Sequence, residues 1–432
     1  MEKKKMSRPL KVTLITLGSI IGVIIILGLV IFGVWNNEIR TLASINLLID
    51  AKEENVSGPV YEMDVKGDYY FKDYLEQGGA SSDQELIDFI VDNLTKGIIP
   101  LEIKAPTIAP NCSSFTAVTA EGDRLFGRNY DFAKTSGMLV YTTASTEEFS
   151  SFGPRHATLT SVDLEFLGIK DGIYLDGLMN KLLCLAAPYV PLDGINDAGV
   201  SCGIYMSYQG NSSDVVVSTD QNSDKPDLTS TTMLRAILDY ADSVDEAIEL
   251  ISSYDLHDSA STSFHYMVAD RFGRSAILEW VPVDGNEFSD TDGTKRELKV
   301  YYNDKDDMLT TSHEKENEFQ YITNFIVTPA YYENDENKGG LDRYLQIEKM
   351  INPDGTNTKG VITKEEALNI LETVGRRKWD KAQGKTDSNS ITCWSALYNL
   401  TKREATWVSN EEFNNPASIF NFTFNGKKFV RS

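Results

Sequence analysis

The sequence is poor in histidine and cysteine, and both shortages limit the chemistry that it can perform. Its four histidines are His156, His257, His265 and His313. Its four cysteines are Cys112, Cys184, Cys202 and Cys393. The cysteine spacings match no metal site and four are too few for a disulfide scaffold, although a single disulfide among the last three stays open. A mechanism that needs an imidazole base therefore has few residues to choose from.

Positive charge is also scarce. The 432 residues contain 41 Lys and Arg against 64 Asp and Glu, which gives a formal net charge of −23. This balance argues against a nucleic-acid partner, because a phosphate backbone needs a basic surface. Hydrophobic residues make up 41% of the chain and charged residues 24%, as in ordinary soluble globular proteins, so the chain can build a large core or two domains.

One long apolar run stands near the amino terminus. A basic tail, residues 1–11, precedes an uncharged run from Val12 to Trp35. About 20 apolar residues suffice to span a bilayer, whereas a cleaved signal peptide normally has a shorter apolar stretch and a small-residue cleavage site. The pattern predicts an uncleaved transmembrane anchor, residues 12–35, with a cleaved signal as the alternative. The basic charge before the run places the tail inside the cell and the body outside.

The rest of the chain divides at Cys112. Residues 36–111 are predicted to form a stalk and pro-segment, polar at first and helical in "SSDQELIDFIVDNLTKG". Residues 112–432 begin with alternating strands, continue through helices that start with 230–253, and close on the hairpin "TCWSALYNLTKREATWVS". This order of strands, helices and strands indicates one layered α+β domain.

Local signals mark the ends of several elements. Ser243 with Glu246 and Thr363 with Glu366 have the spacing of a capping box, so a helix is predicted to start at each pair. The stretch "SFHYMVADRFGRSAILEWVP" predicts a β-hairpin with its turn at Phe272-Gly273. These signals place two helices and one hairpin inside the second segment.

Cys112 starts the first hairpin of that segment. It precedes the strand "SFTAVTA", an acidic-glycine turn and the strand "RLFGRNYDF", which carries Arg128 and Asp131. Cysteine attacks as its thiolate, and a neighbouring positive charge or base must favour this form because a free thiol has a pKa near ~8.5. Arg128 on the facing strand can stabilise the thiolate, and Asp131 can accept hydrogen bonds from an amine. The alternative for an isolated cysteine is a buried small hydrophobe.

Two sources of a base are open. One is a distant histidine such as His265. The other is the α-amino group that cleavage between Asn111 and Cys112 would free. The ordinary pKa of such an amine, roughly 7.7–8.0, suits proton transfer near neutral pH. An N-terminal amine acts as the base for threonine nucleophiles, and the same logic transfers to cysteine.

Four later segments join the Cys112 hairpin in an ordered set. They are "LDGINDAGVSCGIYMS", "YITNFIVTP", "GGLDRY" and "CWSALYNLTKREATWV". Together with "LFGRNYDF", they resemble the choloylglycine hydrolase family of N-terminal nucleophile amidases, which includes bile salt hydrolases and penicillin V acylases. Acid ceramidase and N-acylethanolamine acid amidase are more distant relatives. The resemblance implies a four-layer αββα sandwich and a cysteine that attacks a linear amide.

The resemblance also implies a role for each matched residue. Cys112 would be the nucleophile, with its own amine as the base after cleavage. Arg128 would lie beside the thiolate, and Asp131 would hold the amine. Asn324 would donate its side-chain amide to the oxyanion. Arg343 would support charge near the nucleophile.

Two features depart from the family pattern. The second oxyanion donor of the family lies on the strand after Asn196, where a gapless match gives Met206 and a shift of one residue gives Tyr205. We choose Tyr205 because methionine cannot donate a hydrogen bond. The second departure is the long segment before Cys112, since bile salt hydrolases carry the cysteine directly after the initiator methionine. The acid ceramidase branch has a pro-segment that is removed autocatalytically and offers the analogue.

The sequence therefore predicts an extracytoplasmic, membrane-anchored amidohydrolase that cleaves linear non-peptide amides through an acyl-thioester, without a cofactor or metal. Its substrate would be a small N-acyl amide such as a conjugated bile salt, penicillin V or an N-acyl homoserine lactone, and the sequence does not choose among them. The alternatives are a Cys-His hydrolase or peptidase that uses His265, and a non-catalytic surface protein that keeps the scaffold for binding. A homo-oligomer stays open.

Overall fold

The computed structural model describes most of the chain after the amino-terminal run. The described residues are 32–50, 58–97, 111–132, 136–169, 174–207, 220–221, 223–260, 262–283, 296–303, 317–332, 334–384 and 390–432. Most of the predicted anchor, residues 12–35, lies outside these ranges, as does His313. Within them, every helix is too short or too polar to cross a membrane.

Nine α-helices and eighteen strands are found in the described part of the chain. The helices are α1 (Asn36–Leu42), α2 (Phe71–Glu76), α3 (Asp83–Thr95), α4 (Leu178–Leu183), α5 (Ser230–Tyr240), α6 (Val244–Ser252), α7 (Leu341–Ile351), α8 (Lys364–Thr373) and α9 (Arg376–Ala382). The strands are β1 (Asn46–Ile49), β2 (Val60–Asp64), β3 (Asn111–Val118), β4 (Arg124–Phe132), β5 (Gly137–Tyr141), β6 (Thr158–Asp163), β7 (Asp193–Asn196), β8 (Val200–Met206), β9 (Asp227–Thr229), β10 (Asp255–His257), β11 (Phe264–Asp270), β12 (Ser275–Pro282), β13 (Arg296–Tyr302), β14 (Tyr321–Ile322), β15 (Ile391–Asn399), β16 (Glu404–Ser409), β17 (Ile419–Phe424) and β18 (Phe429–Arg431). Helices start after Ser243 and Thr363 and the hairpin β11–β12 forms, as the sequence predicts. Thr363 and Glu366 form a full capping box, whereas Ser243 only caps Glu246, whose side chain accepts from the amide nitrogen of Asp242.

The strands form two large sheets. One has nine strands in the order β1-β2-β5-β6-β7-β8-β11-β12-β13, and its neighbours are antiparallel except for the parallel pair β2–β5. The other has seven strands in the order β14-β3-β4-β15-β16-β17-β18, all antiparallel. A separate two-stranded parallel sheet joins β9 to β10.

The two large sheets pack face to face, with helices on their outer sides. Across the interface, Trp394 of β15 donates to Asp193 of β7 at 2.9 Å, and Trp407 of β16 donates to Ser161 of β6 at 3.2 Å. Helices α5 and α6 pack on the nine-stranded sheet, and α7, α8 and α9 pack on the seven-stranded sheet. The α+β class predicted from the sequence is confirmed, and the layers follow the predicted order of helices, sheet, sheet and helices.

The segment before Cys112 differs from the predicted polar stalk. Strand β2 pairs with β5 inside the nine-stranded sheet, and Val60 and Met63 of β2 are buried. Aromatic residues of α2 also enter the core, where Tyr74 stacks on Phe71. The sequence did not reveal this pattern, because a strand of five residues has only two or three inward side chains, and charged residues alternate with them in β2.

The hairpin β3–β4 places the cysteine on the second strand of the seven-stranded sheet, between β14 and β4. Its turn contains Gly122 at φ +91°, a left-handed conformation that glycine adopts without a steric penalty. The register places Cys112 opposite Tyr130 and Ser114 opposite Arg128, so these four side chains share one face. Since Arg128 bonds to β8 of the other sheet, this face is the one between the sheets.

Candidate active site

Cys112 is fully buried at the start of β3. Burial raises the pKa of its thiol to about 11, although Arg128 acts in the opposite direction and Asp131 adds to the rise. At pH 7 about one thiol in ten thousand is then ionised. An effective nucleophile at this position therefore needs a base that takes the thiol proton during the reaction.

Arg128 lies between the sheets with no exposed surface. Its Nη2 donates to the carbonyl of Ile204 at 2.6 Å, and its guanidinium lies 4.3 Å from the centre of the Tyr205 ring. Its Nε is 3.5 Å from the Asp193 carboxylate. Burial opposes its charge, but Cys112, Tyr205 and Asp193 together raise its pKa above the ordinary value. Arg128 is thus a fixed positive charge beside the thiol.

Asp131 points to the other face of β4, toward the helices. Its Oδ2 accepts from Nη1 of Arg343 on α7 at 2.6 Å, and its Oδ1 accepts from the hydroxyl of Thr392 on β15 at 2.6 Å. All three residues are buried. Burial raises the pKa of Asp131, and Arg343 and Thr392 offset part of the rise. This buried ion pair joins α7 to the hairpin β3–β4.

Asn324 links the ion pair to the backbone of Cys112. Its Oδ1 accepts from Nη2 of Arg343 at 2.8 Å and from the amide nitrogen of Cys112 at 3.2 Å. Its Nδ2 donates to the carbonyl of Met206 at 2.9 Å and carries a second hydrogen. The predicted residues Cys112, Asn324, Arg343 and Asp131 therefore form one hydrogen-bonded network, although they lie far apart in the sequence.

The structure places Tyr205 and Met206 differently. The Tyr205 side chain is buried between the sheets, where its hydroxyl donates to Ser114, two residues after Cys112 on the same face. Met206 contributes its backbone carbonyl, which accepts the Asn324 amide and cannot donate to an oxyanion. The phenol of Tyr205 thus lies against the face of β3 that carries Cys112 and Ser114, and its role as an oxyanion donor stays a prediction.

His265 has two partners, and neither is Cys112. Its Nε2 lies 2.8 Å from the carbonyl of Thr323, and its Nδ1 lies 3.0 Å from the carboxylate of Glu279. Glu279 also accepts from the backbone of Val327 and Thr328. Because a carbonyl only accepts, Nε2 carries a proton. This imidazole therefore holds the segment that follows β14, next to Asn324, and neither nitrogen is directed at the thiol.

The remaining cysteines are structural in this fold. All four cysteines are buried and none is in a disulfide, so the disulfide that the sequence left open does not form. Burial raises the pKa of the Cys184 thiol to about 12. Cys184, Cys202 and Cys393 therefore fill core positions as small hydrophobes.

Two buried residues near the site were not singled out from the sequence. Asp193 on β7 accepts from Trp394 and Tyr398 and faces Arg128. Thr392 holds Asp131. In the sequence, Asp193 is only a charged residue at the start of the strand "DGIN", and Thr392 is only a threonine at the start of "TCWSALYN". Residues of both kinds are too common at strand ends to indicate a site.

A large apolar groove lies apart from this network. Its volume is about 670 Å³, and it is lined by residues that include Trp35, Ile39, Leu86, Ile90, Leu178 and Met179. Helices α1, α3 and α4 supply these side chains, and no residue of the Cys112 network is among the lining residues. Trp35 is fixed there because its Nε1 donates to the carbonyl of Leu94 at 2.7 Å.

Fold and site together define an α+β sandwich of two sheets. Polar residues from β4, β8, α7 and the segment after β14 surround one cysteine. Residues 112–286 match the family of linear amide C-N hydrolases, choloylglycine hydrolase family. The matched segment starts at Cys112, and the resemblance predicted from the sequence is confirmed. The prediction of an amidohydrolase that acts on linear amides is confirmed by the same match.

Solved structures give remote similarities. A mutant conjugated bile acid hydrolase from Clostridium perfringens is 15% identical, covers 74% of this chain and 96% of its own, and has a TM-score of 0.44. Penicillin V acylase from Agrobacterium tumefaciens is 13% identical, with 72% and 86% covered and a TM-score of 0.41. The Caenorhabditis elegans N-acylethanolamine-hydrolyzing acid amidase ortholog is 14% identical, with 67% and 93% covered and a TM-score of 0.35. No curated protein matches the chain.

Proposed function

We propose that this protein hydrolyses the C–N bond of small linear N-acyl amides with Cys112 as the nucleophile and its own α-amine as the base. The observation that carries the proposal is the network at the Cys112 backbone. Asn324 holds the amide nitrogen of Cys112, and Arg343 holds Asn324. No histidine among the described residues is hydrogen-bonded to Cys112 or Asn324, so the nitrogen of the nucleophile itself is the nearest group that can become a base.

Cleavage of the bond between Asn111 and Cys112 prepares the site. Hydrolysis of this peptide bond leaves a carboxylate on Asn111 and an α-amine on Cys112. The ordinary pKa of the amine is roughly 7.7–8.0, so much of it is neutral near pH 8. The nitrogen lies next to an acceptor on Asn324 and on the same residue as the thiol, which is the position a base needs.

The reaction then follows from the placed groups. The amine takes the thiol proton, the sulfur forms a bond to the substrate carbonyl carbon, and the electron pair of the C=O bond moves to oxygen. The second hydrogen of Asn324 Nδ2 donates to this oxyanion, a contact worth roughly 2.7–4 kcal/mol for one donor. The phenol of Tyr205 becomes a second donor when its hydrogen turns from Ser114 to the oxyanion. Arg128 favours the thiolate through its charge.

Collapse of the tetrahedral intermediate breaks the C–N bond. The ammonium of Cys112 returns its proton to the leaving amine, and an acyl-thioester remains on the sulfur. Water then gives a proton to the α-amine and attacks the thioester carbonyl. The S–C bond breaks, the carboxylic acid leaves, and the thiol is restored.

The decisive test combines the mature amino terminus with a release assay. We expect intact-mass measurement and amino-terminal sequencing to show that the wild-type protein begins a second chain at Cys112. That form should release free amine from a panel of conjugated bile salts, penicillin V, N-acyl homoserine lactones and long-chain N-acyl amides. A Cys112→Ala variant should stay uncut and inactive. If that variant is cut and active like wild type, Cys112 is not the nucleophile.

We also propose that residues 12–35 anchor the protein and hold the body on the outer side of the membrane. The apolar groove supports this, because the run ends at Trp35 and Trp35 lines the groove. Leu178 and Met179 on the same face are 71% and 52% exposed. A surface of this kind is suited to lipid chains. Retention of the full chain in membranes after an alkaline carbonate wash checks the anchor, and release by that wash would contradict it.

A further inference from the structure

Two aspartates face each other in the two-stranded sheet that lies beside helices α5 and α6. Strand β9 ends at the start of α5, and β10 follows α6. Their parallel register pairs Asp227 with Asp255 and Thr229 with His257. Two carboxylates directly opposite each other are destabilising unless a positive charge lies between them. Repulsion between Asp227 and Asp255 therefore destabilises the two-stranded sheet, and a cation between the two carboxylates would remove this repulsion.

One nitrogen of His257 faces both carboxylates. Its Nε2 is 2.9 Å from Oδ1 of Asp227 and 3.6 Å from Oδ2 of Asp255. The three ligand atoms lie within 4.8 Å of one another. Two ligands of a tetrahedral zinc ion, each about 2.0–2.1 Å from the metal, are about 3.3 Å apart, and the two observed distances lie on either side of this value.

Asp255 provides an independent sign that a partner belongs here. The residue is 2% exposed, and Oδ2 is the carboxylate oxygen that faces His257. Oδ2 also accepts from the backbone of Ser223 at 2.8 Å, whereas Oδ1 is buried and accepts no hydrogen bond from the described residues. A buried carboxylate oxygen without a donor is costly, and a cation bound through both oxygens of this carboxylate would satisfy it.

His156 shows what an ordinary histidine between two aspartates looks like in the same fold. Its Nδ1 lies 2.7 Å from Asp197, and its Nε2 lies 3.5 Å from Asp242. Each nitrogen thus serves one carboxylate, on opposite sides of the ring, and the three groups cannot bind one ion. At His257 both carboxylates converge on a single nitrogen, which is the arrangement of a metal ligand set.

We propose that Asp227, Asp255 and His257 bind one divalent cation of the zinc type, with water in the remaining position. One imidazole nitrogen and two carboxylates are a donor set that zinc accepts. The ion would join β9 to β10 and so hold the start of α5 next to the end of α6. Its role would be structural, because neither strand supplies a residue to the Cys112 network.

The test uses the full-length protein in detergent, stripped of metal with EDTA and dialysed. Titration with zinc chloride in a calorimeter should show about one Zn²⁺ bound for each chain. His257→Ala and Asp227→Asn should weaken binding at least tenfold, because each removes one of three protein ligands. His156→Ala is the matched control and should bind zinc as the wild type does.

Thermal unfolding is the second readout, and it distinguishes a variant that has lost the metal site from a variant that is misfolded. Zinc should raise the Tm of the wild type and of His156→Ala by several degrees, and it should leave the Tm of His257→Ala unchanged. Amidase activity should survive metal removal, so the outcome is independent of the proposed reaction. Equal zinc affinity in His257→Ala and wild type, or no zinc binding by wild type, would overturn the proposal.

Discussion

At the scale of single residues, the site combines a poorly acidic thiol with fixed charges. Burial raises the pKa of Cys112 to about 11. Arg128 lies beside the thiol, and the carbonyl of Ile204 and the ring of Tyr205 hold its guanidinium in place. The sequence identified Cys112, Arg128 and Asp131 because one hairpin carries all three. The contacts of Asn324 and Arg343 could not be derived from spacing, since more than two hundred residues separate each from the strand that it contacts.

Tyr205 and Met206 give a matched pair of variants. Tyr205→Phe keeps the ring under Arg128 and removes only the hydroxyl, so we expect kcat to fall by roughly 100- to 1,000-fold through loss of the proposed oxyanion donor. Met206 contacts Asn324 only through its backbone carbonyl, which Met206→Leu keeps, so kcat should stay within about twofold. Steady-state kinetics on one released amine compares them. A kcat for Tyr205→Phe as high as that of Met206→Leu would show that the Tyr205 hydroxyl is not an oxyanion donor.

The pH profile distinguishes the two bases. If the α-amine takes the thiol proton, kcat/KM should rise through a single ionisation near roughly 7.7–8.0 as pH increases, because only the neutral amine accepts a proton. His265→Gln removes the imidazole and keeps an amide that can donate to the Thr323 carbonyl. We expect this variant to lose stability and keep the same profile. Loss of the ionisation in His265→Gln would favour a Cys-His mechanism.

At the scale of secondary-structure elements, the ion pair between Asp131 and Arg343 ties helix α7 to strand β4. The sequence predicted β4 from its alternating pattern and predicted two other helix starts from their capping residues. It did not predict β1 and β2, because a strand of four or five residues has too few inward side chains to show a period. Their assignment depends on the partner β5, which lies much later in the chain.

Removal of one partner of this pair should make stability depend on pH. Arg343→Met leaves the Asp131 carboxylate buried beside Thr392, and such a change typically costs about 3–5 kcal/mol. The pKa of Asp131 is already raised by burial, and loss of the guanidinium raises it further. A carboxyl with a raised folded pKa stabilises the fold below its unfolded pKa and loses that contribution as pH rises through the folded pKa. The deficit relative to wild type should therefore grow from acid to neutral pH.

Urea denaturation of wild type and Arg343→Met at pH 5 and pH 8 measures this effect. The double variant Asp131→Asn with Arg343→Met is the control, since it removes the unpaired charge and should recover part of the lost free energy. A deficit that is the same at both pH values, or no recovery in the double variant, would show that Asp131 is not the group that titrates.

At the scale of the whole molecule, the nine-stranded sheet contains material from both sides of the proposed cleavage site. Strand β2 from the first segment pairs with β5 from the second, and Lys428 near the carboxyl terminus bonds to Asp64. The layered class followed from the sequence because alternating strands and amphipathic helices have different periods. The order of strands within each sheet did not, since pairing partners are set by packing across the whole fold.

This shared sheet predicts the behaviour of the cut protein. After cleavage, we expect the two chains to migrate as two bands under denaturing conditions and to elute together from a sizing column without denaturant. Hydrogen bonds along β2 and the buried side chains of α2 hold them together. Met63→Asp, which places a charge in the core next to β5, should promote separation of the chains, and Glu62→Gln on the same strand should not. Separate elution of the wild-type chains would contradict a shared sheet.

The parallel pairing of β2 with β5 also bears on the lifetime of the protein. If one continuous chain forms the sheet and is then cut, unfolding releases two separate chains. Refolding must then start with an encounter between these two chains. The unfolding equilibrium then depends on protein concentration, and in dilute solution unfolding is effectively irreversible. The rate at which β2 leaves the sheet, instead of the equilibrium free energy of unfolding, then sets the lifetime of the active enzyme.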